Sequence, residues 1–277
     1  MIDFHAHIYP DSLAGGVIQK LGLAAGITGL MPSTDGTKTN TIKYFGENGV
    51  DKFVVLNIAT REKQHKNVND FAIELNKEPE IISFGSVYPT SDTFETELLR
   101  LKEAGIKGIK LHPEYQDFEI NDKRAYRVYE MCRELDFIIS FHAGYDLAYM
   151  HRLNCSAEKA REVVDDFPHN KFVFAHFGGY MIFDSVLEHL AGENVFFDTS
   201  FVSARDKEYI PVINKMINKH GAERFLFGSD TPWMHVKKSS EFIDMLDLSD
   251  SEKEKIFDKN AAELLGIDKC RGNAKAL

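Results

Sequence analysis

The sequence predicts an α/β protein folded as one (β/α)8 TIM barrel spanning residues 1–277, with an extra helix at its C-terminus. Three observations predict it. Eight short apolar runs recur along the chain, amphipathic stretches of about ten residues separate most of them, and the length is 277 residues, against roughly 250 for such a barrel. Runs apolar on both faces, alternating with helices, describe a parallel sheet covered by helices. An open doubly wound sheet would usually announce a glycine-rich phosphate loop after its first strand; here the first strand ends in histidines.

In chain order, the predicted strands are Ile2 to Ala6, Phe53 to Ile58, Ile81 to Val87, Gly108 to Leu111, Phe137 to Phe141, Phe172 to Ala175, Val195 to Phe197 and Phe225 to Phe227. Their apolar, β-branched and aromatic content suits a pleated, buried surface. Helical periodicity marks Asn67 to Asn76, Asp92 to Ala104, Asp122 to Leu135, Ala157 to Phe167, Asp184 to Leu190 and Lys207 to His220. Capping residues are expected at Asp92 or Thr93, at Asn121, and at Ser156 with Glu158 following. Residues 8–50 read as one long connection, with the Gly/Thr-rich piece Thr34 to Thr41 a candidate mobile flap. A last helix from about Ser251 to Leu265 precedes a polar tail.

Composition narrows the function. The formal net charge is −10, and no basic patch offsets it, which argues against a nucleic-acid or acidic-membrane partner. No run reaches the roughly 18–20 apolar residues of a membrane span. The chain enters Ile2-Asp3-Phe4-His5 with no basic and apolar leader ahead of it, so a cytoplasmic location is expected. Cys132, Cys155 and Cys270 are scattered without a C-x-x-C pair, which suggests reduced thiols rather than a disulfide framework or thiolate zinc site.

Barrel active sites lie at the C-terminal ends of the strands. Strand 1 ends Asp3-Phe4-His5-Ala6-His7. Strict alternation would place Asp3, His5 and His7 on one face and Ile2, Phe4 and Ala6 on the other. Strand 5 runs into His142, strand 6 into His176, and strand 8 into Asp230. Three histidine-bearing strands and one carboxylate at a single mouth supply the N and O donors that suit zinc or a related divalent ion.

These residues sit in segments that resemble the amidohydrolase superfamily. The segments are D-x-H-x-H at Asp3 to His7, G-I-K-L-H-P at Gly108 to Pro113, H-A-G at His142 to Gly144, A-H-F-G-G at Ala175 to Gly179, G-S-D-T-P at Gly228 to Pro232, and the closing Lys259 to Gly266. The branch most similar holds TIM-barrel metal-dependent hydrolases and aminocarboxymuconate-semialdehyde decarboxylase-like enzymes. The resemblance implies metal ligands at His5, His7, His142 and Asp230. It implies His176 and Asp230 as the proton-handling catalytic pair, with His176 a second-metal ligand in binuclear relatives. In those relatives a strand-4 lysine, here Lys110, is carbamylated and bridges two ions. The pattern Lys110-Leu111-His112-Pro113 instead resembles the single-metal branch, so one divalent ion, zinc, is expected. Asp3 would orient a ligand histidine or cap the barrel floor.

Lys110, His112, Arg61, Tyr145 and Trp233 lie near strand ends and are candidates for substrate contact, Arg61 as a bidentate carboxylate clamp. His65, His151, His169, His189 and His220 read as bystanders. The expected reaction is hydrolysis of a small-molecule ester, amide or lactone by metal-activated water. The alternative is non-oxidative decarboxylation of an unsaturated or aromatic acid, which would use the same ligands. The resemblance also leaves room for a homodimer.

Overall fold

The computed structural model describes residues 1–26, 32–203 and 205–267. Cys270 and the polar tail lie outside them. All eight expected strands are present: β1 (Ile2–Ala6), β2 (Lys52–Leu56), β3 (Ile81–Phe84), β4 (Gly108–Leu111), β5 (Ile138–Phe141), β6 (Lys171–Phe174), β7 (Phe196–Asp198) and β8 (Phe225–Leu226). The helices are α1 (Asp11–Ala24), α2 (Lys38–Glu47), α3 (His65–Leu75), α4 (Phe94–Glu103), α5 (Tyr126–Glu134), α6 (Ala157–Asp166), α7 (Phe183–His189), α8 (Ile210–His220), α9 (Val236–Asp244), α10 (Asp250–Glu254) and α11 (Asn260–Leu265).

Every strand pairs in parallel with the next, in the two runs β1-β2-β3 and β4 to β8. Backbone bonds close both seams. Gly85 N–H donates to Gly108 O and Lys110 N–H to Gly85 O, joining β3 to β4. Phe4 N–H donates to Phe227 O at 2.7 Å, Asp230 N–H to His5 O at 2.8 Å and His7 N–H to Thr231 O at 2.7 Å, joining β8 to β1. The barrel is therefore continuous, and its second seam lays Asp230 beside the histidine strand.

Two apolar layers hold it. Ile2, Phe4, Val54, Leu56, Ile82, Phe84, Ile138, Val173 and Leu226 pack together inside, floored by Ala261, Ala262 and Leu265 of α11. Outward residues such as Phe53, Val55, Ile109, Leu111, Phe141, Phe172 and Phe197 pack under the helices. In β1 the expected alternation breaks. Asp3 pairs with Phe53 and Ala6 with Val55, so three residue steps oppose two and the strand bulges. Phe4 joins the inner layer and Ala6 the outer one, while His5, between them, faces the lumen. Asp3 thus does not share a face with His5. Its carboxylate Oδ1 accepts the His5 and Ser229 N–H groups, both at 3.0 Å, and secures the bulge.

Other expectations also need correction. The 8–50 connection contains α1 and α2. The Thr34–Thr41 piece is a tied turn rather than a flap: Thr34 and Thr41 are buried with their hydroxyls 3.2 Å apart, and Thr37 caps α2. Ser156 caps α6 as expected. Asn121 caps nothing, because α5 begins at Tyr126 and the Asn121 amide donates to Glu162 instead. Thr93 stands at the N-cap position of α4 without a side-chain cap bond. The last helix is interrupted by a π-helical turn, Lys255–Lys259, whose wider spacing leaves the Ile256 carbonyl to accept Phe227 N–H at 2.9 Å. The Asn260 amide donates to Ala222 O and Phe225 O, both at 2.8 Å, fixing α11 under the barrel.

Among the bystander histidines, His65 accepts the Tyr88 N–H. His220 has a sharper role. Its Nδ1 accepts the Gly192 N–H at 2.9 Å, so the ring proton is at Nε2, donated to Val195 O at 3.1 Å. Burial brings its pKa down to about 4 from the ordinary 6.5. The unfolded chain therefore takes up this proton first, and the ring's stabilisation is complete above pH 6.5 and lost as pH falls towards 4. Urea denaturation should show wild type losing about 3 kcal/mol more than His220→Asn between pH 7 and 4. Parallel losses in the two proteins would refute the assignment.

Candidate metal centre

The mouth is assembled from strand ends. His5 and His7 come from β1, Lys110 and His112 from β4, His142 from β5, His176 from β6, Asp198 and Ser200 from β7, and Asp230 from β8. Except for half-buried His7, all are buried. His176 and Asp230 adopt left-handed backbone, φ 59° and 70°, which non-glycine residues seldom hold without a functional reason. The turn after strand 6 also needs Gly178, with φ 84° and no room for a Cβ against Phe197 and Val186.

Three of the four expected ligands converge directly. His7 Nε2 is 3.0 Å and His5 Nε2 3.4 Å from Asp230 Oδ1. The other nitrogen of each ring is held by an acceptor: His5 Nδ1 by Asp198 Oδ2 at 2.9 Å and His7 Nδ1 by the Leu56 carbonyl at 3.0 Å. His176 also enters this group, since donor atoms of His5, His176 and Asp230 lie within 4.8 Å of one another. His142 contacts it through Nδ1, 3.1 Å from His176 Nε2, while its own Nε2 is buried without a hydrogen-bond partner. Asp230 Oδ1 is likewise buried without one. Buried polar atoms left bare are costly unless something occupies them, and nitrogen and carboxylate donors of this kind fit a divalent ion.

Burial sets the charge states. It depresses His5 and His142 far below the usual imidazole range and brings His176 down to about 3, so all three rings are neutral at pH 7. Burial raises the Asp230 carboxyl. Lys110 is brought down to about 8 by burial, opposed by the Asp198 and Asp230 carboxylates, and its ammonium donates to Ser140 Oγ at 3.5 Å.

A second group, His112, His142 and Asp146, also brings donors within 4.8 Å. It suits a cation poorly. The His112 and His142 rings stack at 4.0 Å and 6°, and in-plane lone pairs of two parallel rings cannot meet at one ion. Tyr115 extends the stack on the far face of His112 at 3.8 Å and 13°. Glu114 lies behind, pushed up to about 7 by burial, its Oε2 3.6 Å from His112 Nδ1.

The remaining expected residues lie further out. Tyr145 and Trp233 are half-buried, tied by backbone bonds to Tyr180 O and Asp230 O. Arg61 is exposed, just ahead of the short helical turn Glu62–Gln64 that leads into α3. Sequence reasoning missed Asp198, Ser200, Glu114 and Asp146. Asp198 had a legible signal, a carboxylate closing the apolar run Val195 to Phe197.

The family model described as amidohydrolase matches residues 2–267. The chain belongs to the amidohydrolase family. Proteins of this family are metal-dependent enzymes acting on small molecules, and this chain is one. No curated protein matches it. Among solved structures, 5-carboxyvanillate decarboxylase from Sphingomonas paucimobilis is 14% identical, with TM-score 0.68 over 97% of this chain and 99% of that one. A dihydroxybenzoic acid decarboxylase from Polaromonas, with bound manganese and the inhibitor 2-nitroresorcinol, is 15% identical, with TM-score 0.69 over 99% and 98%. A probable 2-pyrone-4,6-dicarboxylic acid hydrolase from Acinetobacter baumannii is 16% identical, with TM-score 0.66 over 96% and 99%. At these identities the likeness establishes the TIM-barrel fold. Among the described residues, no helix is long and apolar enough to cross a membrane.

Proposed function

We propose that this amidohydrolase-family enzyme hydrolyses a small-molecule ester, amide or lactone, with one zinc ion held by His5, His7, His142 and Asp230. The observation that carries the reading is the paired pinning of His5 and His7. A carboxylate holds Nδ1 of one and a backbone carbonyl Nδ1 of the other, so both Nε2 lone pairs face Asp230. Such outer partners are what orient metal-binding histidines, and a set rich in imidazole suits zinc. A divalent ion at this position lowers the pKa of water towards 7 and polarises a carbonyl.

The chain's residues handle the protons. Asp230 Oδ1, free of hydrogen bonds, takes the proton of the attacking water. His176, neutral and buried beside it, takes that proton at Nε2 and passes it to the leaving group. The buried walls exclude bulk water and strengthen each electrostatic contact. Lys110 supplies a cation for an anionic part of the substrate, and the Tyr115–His112–His142 stack offers a flat wall. That wall and cation also suit a planar aromatic acid. Together with the decarboxylases among the structural neighbours, they favour carboxy-lyase activity as the second reading.

The test is the zinc-loaded protein offered panels of lactones, esters and amides, and separately of aromatic and unsaturated acids with carbon dioxide release followed. Hydrolysis of at least one class is expected. Carbon dioxide release with no hydrolysis overturns the first reading in favour of the second. His176→Asn should lower kcat by about 10²–10⁴-fold with zinc still near one equivalent. Loss of the zinc would place His176 among the ligands.

A further inference from the structure

We propose that the Tyr115 hydroxyl binds an oxygen of the substrate at the mouth, and that Gln116, beside it in the chain, is the residue that positions it. The group it takes is a carboxylate, carbonyl or other oxygen acceptor, separate from the anionic part that Lys110 meets. This deepens the function proposed above and rests on it for the Lys110 contact alone.

Gln116 lies in the loop after β4 and is 1% exposed. Its side-chain amide is used on three sides. Oε1 accepts the His112 N–H at 2.8 Å, and Nε2 donates to Ala59 O and Val87 O, both at 2.8 Å. Those carbonyls belong to the loops after β2 and β3. A backbone donor on one side and two backbone acceptors on the other fix which end of the amide is oxygen. One buried side chain therefore ties three successive loops of the rim together. The loop after β5 is joined to the same segment. Asn154 N–H donates to Glu114 Oε1 at 3.0 Å, and the Asn154 amide donates to Pro113 O at 3.1 Å.

Tyr115 sits in the middle of this frame. Its ring lies on His112 at 3.8 Å and 13°, and Tyr149, from the loop after β5, covers its other face at 5.4 Å and 54°. The ring is clamped, yet the residue is only half-buried, and among the described residues no hydrogen bond reaches its hydroxyl. Burial, then the Asp146 charge and more weakly that of Asp230, push the phenol pKa up, so it keeps its proton and remains a donor. A few well-placed polar groups on an otherwise apolar wall are what orient a bound small molecule. Holding such a donor in place beforehand spares the ordering cost of binding, which is what the Gln116 tie supplies. A purely structural staple needs no unused donor at its centre.

Isothermal titration calorimetry of the zinc-loaded full-length protein with benzoate, isophthalate and terephthalate tests this without need of turnover. Benzoate offers one carboxylate, and the other two offer a second one for Tyr115. Wild type should bind one of the dicarboxylates about 10–100-fold tighter than benzoate, the range for a hydrogen bond to a charged group. Tyr115→Phe keeps the ring and should lose that preference, with its benzoate affinity and melting temperature unchanged. Gln116→Met should lose the preference too, although Gln116 is buried behind the contact. Gln116→Asn, one methylene short, is the milder variant with the same expected loss. The double variant Tyr115→Phe/Gln116→Met should be no worse than either single one, since both act through one contact. A dicarboxylate preference retained in Tyr115→Phe, or absent from wild type, overturns the proposal. Gln116 variants that melt lower yet keep the wild-type preference overturn the positioning role. The expected affinities without hydrolysis or carbon dioxide release in either panel refute the proposed function and leave the Tyr115 contact standing.

Discussion

Asp230→Asn is expected to lower kcat/KM by about 10²–10⁴-fold, the range for losing a positioned proton acceptor, and to weaken zinc binding as well. The side chain has two roles that asparagine cannot fill. Among the described residues it supplies the only carboxylate oxygen within 3.4 Å of both His5 Nε2 and His7 Nε2, and that oxygen is free to take a proton. The metal-free protein should not lose stability. Burial already penalises the Asp230 charge, and an amide can donate to the bare His7 Nε2. Activity, zinc content by mass spectrometry and the melting temperature of the metal-free form separate these effects. A variant retaining a tenth of wild-type activity would exclude Asp230 from the chemistry.

The largest effect on stability is expected from Phe84→Ala, at about 3–5 kcal/mol in urea denaturation. Phe84 is fully buried in the inner layer, edge-on to Phe4 with ring centroids 5.8 Å apart. Gly108 is the reason it fits: a Cβ at 108 would lie 2.6 Å from the Phe84 ring and 2.5 Å from the Ile138 carbonyl. The floor of α11 is pinned by Asn260 and the opposite wall is hydrogen-bonded strand, so neither can readily close on the void. Close-packed interiors make such gaps expensive. A loss below 1 kcal/mol would show that the lumen collapses and that the site rests on a softer base than described.

What the sequence disclosed followed the strength of local signals. The strands were legible because each is buried on both faces and reads as a continuous apolar run. β1 to β8 appear within a residue or two of expectation at most ends. The mouth residues His5, His7, His142, His176 and Asp230 were legible because barrel strands deliver their ends to one rim. Helix α1 was not, since it buries only Ala14 and carries no strong apolar stripe to betray it. Asn121 looked like a cap in isolation, yet its amide is used by Glu162, a partner 41 residues away. Asp198 and Ser200 escaped notice because their importance lies in contacts to His5 and His176, distant in sequence.

The bulge in β1 has a consequence for transplanting this site. His-x-His alone does not encode two inward imidazoles here, because on an unbroken strand Asp3 and His5 would point the same way. The irregularity shifts the facing pattern by one residue, and Asp3, through the His5 and Ser229 amides, keeps it there. A histidine pair grafted onto another barrel without that aspartate and its neighbouring strand would carry the ligands but not the frame that aims them. In this protein, the first residue of the motif works as a hinge pin rather than as part of the grip.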